Sequence, residues 1–425
     1  MTQPAFAAEV YQNQYLPAGG DVVDAIVTVT AGGTGGRATS TSAAQIIMVD
    51  CSGSMSTPPT KIAAAKMACS TAIDTLRDGV EFAIVAGTAS AHMVYPDAPA
   101  LRVASPQTRA DAKAAVARLV ANGGTAIGTW LDLSRTIFER SSAEVKHAIL
   151  LTDGQDQHET REQLLEFLRR CEGRFVCDSR GIGNDWVADE LRLVASTLLG
   201  TADGLENPSE LPAAFEAMTS AAMGKAVADV ALRVWAPAGS VIRFVKQAFP
   251  QVEDLTGRGT KVSERITDFP TGAWGDESRD YHVSVQIPAG ALGEEMLAAR
   301  VSLVSRDEVL AQSLVLATWT DDNALSTRIN ERVAHYTGQA ELASAIQEGL
   351  AARDAGDIET ATAKLGRAVQ LAAESGHTDT AKLLAKVVDV VDAHTGTVRL
   401  KQKVAGVDAE LANVRSVKTI RVKTG

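Results

Sequence analysis

A chain of 425 residues, 45% hydrophobic and 22% charged, has the length for two or three domains and the balance of a soluble globular protein. Its net charge of -11 argues against nucleic acid as the main partner, because phosphate binding needs a concentrated basic face and only the C-terminal tail is basic. Met1 to Gln12 holds no basic segment leading into an apolar one, and no later run approaches about eighteen apolar residues, so a cytoplasmic protein without membrane contact is expected.

In chain order, Val22 to Thr30 is β-branched and alternates after Asp24, which reads as a strand. The glycine-rich stretch Ala31 to Arg37 lacks the Gly-Lys-Ser/Thr ending of a phosphate loop and reads as a linker. Ile46-Ile47-Met48-Val49 is a strand buried on both faces that stops at Asp50. Helix and strand patterns then alternate: helix Lys61 to Arg77, strand Val80 to Ala86, helices Pro106 to Leu119 and Ile127 to Arg140, strand Lys146 to Thr152, helix Thr160 to Cys171, strand Phe175 to Cys177, and helices Asp185 to Thr197 and Leu211 to Met223. That succession predicts an α/β domain, a doubly wound parallel sheet of Rossmann-like kind.

Past Lys225 the runs Val227 to Val234, Val241 to Val245, Tyr281 to Ile287, Ala299 to Val304 and Leu314 to Trp319 are short, alternating and separated by turn residues, as in a β-sandwich. The early strand at Val22 to Thr30 joins this sandwich most economically, which makes the α/β domain an insertion. Helical spacing returns at Asn330 to Ala352, Ile358 to Ala373 and Thr380 to His394, predicting a small bundle, and the tail from Thr397 is expected to be loosely held. The segmentation is thus 1–42 for the N-terminal strand and linker, 43–225 for the α/β domain, 226–320 for the sandwich, 321–395 for the helical domain and 396–425 for the basic tail. Four cysteines without a framework read as reduced thiols, and no Cys/His cluster has zinc spacing.

The chemistry concentrates at strand ends. Open α/β sheets bind ligands outside the carboxyl ends of their strands, where Asp50, Ser52 and Ser54 leave the sheet, with Gly53 permitting a sharp turn. Thr125 follows the diglycine Gly123-Gly124, on a loop expected to be mobile, and Asp153 ends the second buried strand beside Asp50. Oxygen donors of this kind suit a hard divalent cation.

These residues match, in order, the Asp-x-Ser-x-Ser, Thr and Asp of the von Willebrand factor A (VWA) domain and its metal-ion-dependent adhesion site, MIDAS. The resemblance covers about Ala43 to Lys225 and extends to actinobacterial multidomain VWA proteins; Cys51 stands at a position the family leaves free. It implies Mg²⁺, Mn²⁺ or Ca²⁺ held by Asp50, Ser52, Ser54, Thr125 and Asp153, and a non-enzymatic role in which a partner protein's acidic side chain completes the metal's shell, in intracellular signalling or complex assembly. The alternative is a Mg²⁺-dependent phosphohydrolase with His158 as general base, for which neither a nucleophile nor a phosphate cradle is found; Asp156 to Thr160 reads more simply as a helix cap. In the tail, Thr419 with Ile420 and Val422 after it is a candidate phosphorylation site for a phospho-dependent partner.

Overall fold

The computed structural model describes residues 5–33, 42–306 and 308–422. Most of the glycine-rich segment expected as a linker, from residue 34, lies outside the described residues. The chain divides into two compact units: Ala38–Lys225 with Lys403–Arg415, and Met1–Arg37 with Ala226–Gln402 and Ser416–Gly425.

The first unit is built on a seven-stranded sheet. Its strands run side by side in the order Ala202–Leu205, Val176–Ile182, Val145–Thr152, Ala43–Asp50, Glu81–Gly87 and Ala91–Tyr95, with Arg102–Val103 also paired to Glu81–Gly87. The first five are parallel and the last pairs antiparallel. Every residue of Ala43–Asp50 is buried, as a parallel strand covered on both faces by helices requires. Val49 stands opposite Leu151 and Asp50 opposite Gly87, so the Asp50 and Thr152 strands stop side by side. From Asp50 the chain first adds Glu81–Gly87 on one side and later Val145–Thr152 on the other. That reversal opens a crevice between the two strand ends, the place where doubly wound sheets bind ligands.

Small side chains let the flanking layers come close. The helix Thr60–Thr75 turns Ala64, Ala65, Ala68, Cys69 and Ala72 inward. Gly87 lies flat under Trp130, where an added Cβ would fall 2.2 Å from the ring, and Gly181 and Gly204 do the same for Trp186.

The second unit holds two largely antiparallel sheets, the sandwich expected from the sequence. One runs Ala5–Gln12, Val22–Gly32, Glu277–Gln286, Val241–Phe249 and Glu253–Asp254; the other runs Thr260–Ser263, Ile266–Trp274, Val227–Trp235, Glu295–Ser305, Glu308–Trp319 and Tyr15–Leu16. Val22–Gly32 pairs on one side with Ala5–Gln12 and on the other with Glu277–Gln286, so two early strands share a sheet with strands made after residue 225, and Val22–Gly32 is internal to it. The α/β unit is therefore inserted in the chain of the sandwich.

Helices Glu331–Asp354, Ile358–Glu374 and Thr378–Val387 follow, the first packing Val333 and Tyr336 against Ile26 and Ala248. The helix expected as far as His394 ends at Val387: Val388–Asp392 is a strand paired with Thr397–Leu400. The β-branched run Val387, Val388, Val390 and Val391 favours that outcome.

The tail also departs from expectation. Gly406–Arg415 is a helix within the α/β unit, and residues 416–422 lie on the sandwich, where Val252 N–H donates to Val417 O at 2.7 Å and Thr419 N–H to Pro250 O at 3.1 Å. Thr419 is buried and its hydroxyl donates to Ala248 O at 2.7 Å, so the residue read as a phosphorylation candidate is a structural hydroxyl closed to a kinase while this segment is docked.

Candidate metal centre

At the crevice, Asp50 is fully buried and both its oxygens are held. Ser52 N–H donates to Oδ1 at 2.7 Å and the Thr152 hydroxyl to Oδ2 at 2.6 Å. Burial pushes the Asp50 carboxyl above its usual range, opposed by the bonds from Ser52 and Thr152 and reinforced by the charge of Asp153. The next loop brings the two serine hydroxyls within 2.9 Å of each other, and Ser54 donates to Asp153 Oδ1 at 2.6 Å. Since the Ser54 proton goes to the carboxylate, Ser52 must be the donor between the serines. The protons of this chain point toward Asp153, and each hydroxyl keeps lone pairs for another partner.

The Thr125 loop is tied to the same place. Gly53 N–H donates to Gly123 O at 2.9 Å and Asn122 N–H to Cys51 O at 2.7 Å, so the diglycine expected to be flexible is pinned at its base. Gly123 adopts φ 128°, open to glycine and rarely to other residues, and a Cβ on Gly124 would overlap the His158 ring at 2.0 Å. Thr125 N–H donates to His158 Nδ1 at 3.2 Å, while Thr125 O accepts from the Gln157 and His158 amides. One cleft of about 590 Å³ is lined by Ser52, Ser54 and Thr125 and, around them, His158, Asp185 and Glu410. The structure thus brings Asp50, Ser52, Ser54 and Asp153 into direct hydrogen-bonded succession and places Thr125 on the wall of the cleft that the serines line.

Two features here carry no sequence signal. Lys61 is buried in the first turn of its helix, and its ammonium donates to Asp153 Oδ2 at 2.7 Å and to Asp185 Oδ2 at 3.4 Å. Ninety-two positions separate Lys61 from Asp153, and no local spacing announces such a pair. Behind the Thr125 loop, Asp156 Oδ2 accepts from Ile127 N–H at 3.3 Å and Glu159 Oε1 from Gly128 N–H at 2.5 Å. These carboxylates cap the Ile127–Phe138 helix from outside it, whereas the expectation had been a cap for the helix after Thr160. That second helix is capped, as expected, from within the stretch, by Thr160 with Gln163. Cys51 is an inert neighbour, its thiol pushed up to about 12 by burial and then by the Asp50 charge.

Hydroxyls and carboxylates at the switch point of a doubly wound sheet define an α/β ligand-binding module of the VWA type. The chain belongs to the von Willebrand factor type A family: the family's type A domain matches residues 44–203 and its type A C-terminal domain residues 370–416. It is 51% identical to a solved von Willebrand factor type A protein from Catenulispora acidiphila, with 99% of this chain and 98% of that one covered at a TM-score of 0.94. The ArnB paralog VWA2 from Sulfolobus acidocaldarius shares the fold at 14% identity, over 97% of this chain and 98% of that one, with a TM-score of 0.60. A Synechocystis protein, sll0103, is 28% identical over 234 residues, which are 53% of each chain, so this chain spans about half the length of that curated relative.

Proposed function

We propose that this protein is a divalent-metal-dependent protein-protein interaction module, in which Asp50, Ser52, Ser54, Thr125 and Asp153 hold the cation, Mg²⁺ or its Mn²⁺ or Ca²⁺ relatives, and a partner protein contributes an acidic side chain. The observation that carries this reading is the hydroxyl chain from Ser52 through Ser54 to Asp153, opening on a cleft next to buried Asp50. The donor set fits a hard cation: all oxygen, two carboxylates, the rest neutral. Among the described residues no three His, Cys, Asp or Glu side chains gather as a metal set. When bound, the cation supplies an electrophilic position for an outside carboxylate. The chain's part is to orient the oxygens: Thr152 and the Ser52 amide fix Asp50, Asp153 orders the serine protons, and the Gly53–Gly123 bond sets the Thr125 loop against the Ser54 loop.

The hydrolase alternative gains nothing from the geometry. His158 Nδ1 accepts the Thr125 amide proton, so the neutral ring carries its own proton on Nε2 and offers no free base to the cleft. The four cysteines are buried and free, which supports a reducing, cytoplasmic setting. Among the described residues no helix is long and apolar enough to cross a membrane.

The test is a pull-down from the native host's lysate with Mg²⁺, with EDTA, and with the Asp50→Ala protein. Partners retained with Mg²⁺ and lost in both other arms support the reading. A partner set unchanged by EDTA and by Asp50→Ala would sink it.

A further inference from the structure

Lys61 presents its ammonium to the candidate metal site. Its stem lies in a groove made by Gly183, where an added Cβ would come within 2.8 Å of Cε; Gly183 also has φ 77°, so two independent constraints keep that position free of a side chain. The groove leaves the ammonium on Asp153 Oδ2 at 2.7 Å, with both groups buried, while the other oxygen of the same carboxylate receives Ser54. The second partner, Asp185, is largely exposed and lies 3.4 Å away, a weaker and more screened contact. Asp153 is therefore the carboxylate that Lys61 neutralises.

This pairing has a cost that a purely structural bridge does not explain. Two buried carboxylates attract a divalent cation strongly, and an ammonium against one of them cancels half of that charge at short range, where the low dielectric magnifies the effect. We propose that Lys61 is the residue that sets the strength of this site for divalent cations: it holds Asp153 in place and keeps metal affinity low, so that the loaded site carries surplus positive charge toward a partner's carboxylate. The inference rests on the metal-binding reading above and adds to it a specificity-determining residue outside the ligand set.

The experiment is calorimetric titration of Mn²⁺ into the full chain, as wild type, Lys61→Met and Lys61→Arg, with Asp153→Ala as control. Circular dichroism and the thermal midpoint show that each variant is folded. Lys61→Met keeps the length of the stem and removes the charge, so Mn²⁺ affinity is expected to rise about tenfold or more. Lys61→Arg keeps the charge and is expected to stay within a few-fold of wild type. A bridge serving only the fold would lower the midpoint in Lys61→Met without tightening Mn²⁺. Affinity unchanged or weaker in folded Lys61→Met, while Asp153→Ala abolishes binding, overturns the role of Lys61 and leaves the metal site standing. Absence of Mn²⁺ binding in both wild type and Lys61→Met overturns the site and the inference together, whereas binding in Lys61→Met alone supports the inference in its strongest form.

Discussion

Asp156 keeps a proton that an exposed aspartate gives up. Burial, the hydrogen bond to Glu159, and the charges of Glu159 and Glu190 all push its carboxyl well above the usual carboxylate range; only the Ile127 amide pulls it down. The sign follows from linkage. The unfolded chain releases this proton near pH 4 and the folded one far higher, so the contribution to stability is full below the unfolded value and is lost as pH rises toward the folded one. Asp156→Asn keeps an acceptor for Ile127 N–H and removes the ionisation. Its thermal midpoint should exceed that of wild type, by more at pH 8 than at pH 5; an equal difference at both pH values would show that the carboxylate is not strained. The residues that converge on the crevice were legible because Asp50 and Asp153 each end an apolar run. Lys61 was not, because its neighbours in Thr60–Thr75 signal only an alanine-rich helix. Asp178 shows the opposite limit: it sits inside the Val176–Ile182 strand, bonded to His147 Nε2 at 3.0 Å and to the Thr201 amide at 2.7 Å, and this polar lining hid most of that strand from pattern reading.

Among the elements, the helix Gly406–Arg415 has the clearest measurable role. The helix Ala188–Thr197 begins after Val187, which has no side-chain oxygen to cap it, and Glu410 from this distant segment accepts the Ala188 N–H at 2.6 Å. Arg415 adds a bond to Asp203 Oδ1 at 2.7 Å and another to Gly204 O at 2.9 Å. Glu410→Ala in the full chain should therefore cost about 1 kcal/mol in the denaturant unfolding of the α/β unit, and Glu410→Gln, which keeps an acceptor, distinctly less. Equal losses for the two variants would argue that the carboxylate acts by charge rather than as a cap. Local patterning cannot reveal a cap supplied from 222 positions away, and by composition alone this segment reads as a basic tail. By the same limit the strands Ala5–Gln12 and Ala91–Tyr95 escaped notice: the former is Ala-rich, the latter is an antiparallel edge, and neither carries a strong apolar run.

At the level of the whole chain, the insertion was readable from one orphan strand, because Val22 to Thr30 precedes the α/β pattern and has no partner within it. Val22–Gly32 pairs along ten residues of Glu277–Gln286, so a fragment spanning Val227 to Thr320 lacks an internal strand and leaves that sheet open along its length. Such a fragment should fail to show a cooperative thermal transition, and adding the Ala5–Gly32 segment through a flexible linker should restore one. A sharp transition in the bare fragment would show that the sandwich does not depend on the early strand. The central claim concerns the crevice in the inserted unit, and calorimetric titration of Mg²⁺ and Mn²⁺ into wild type and Asp50→Ala tests it most directly. Wild type should bind one cation and Asp50→Ala none, because the neutral hydroxyls of Ser52, Ser54 and Thr125 cannot replace the lost charge; an Asp50→Ala protein that titrates like wild type would contradict the account.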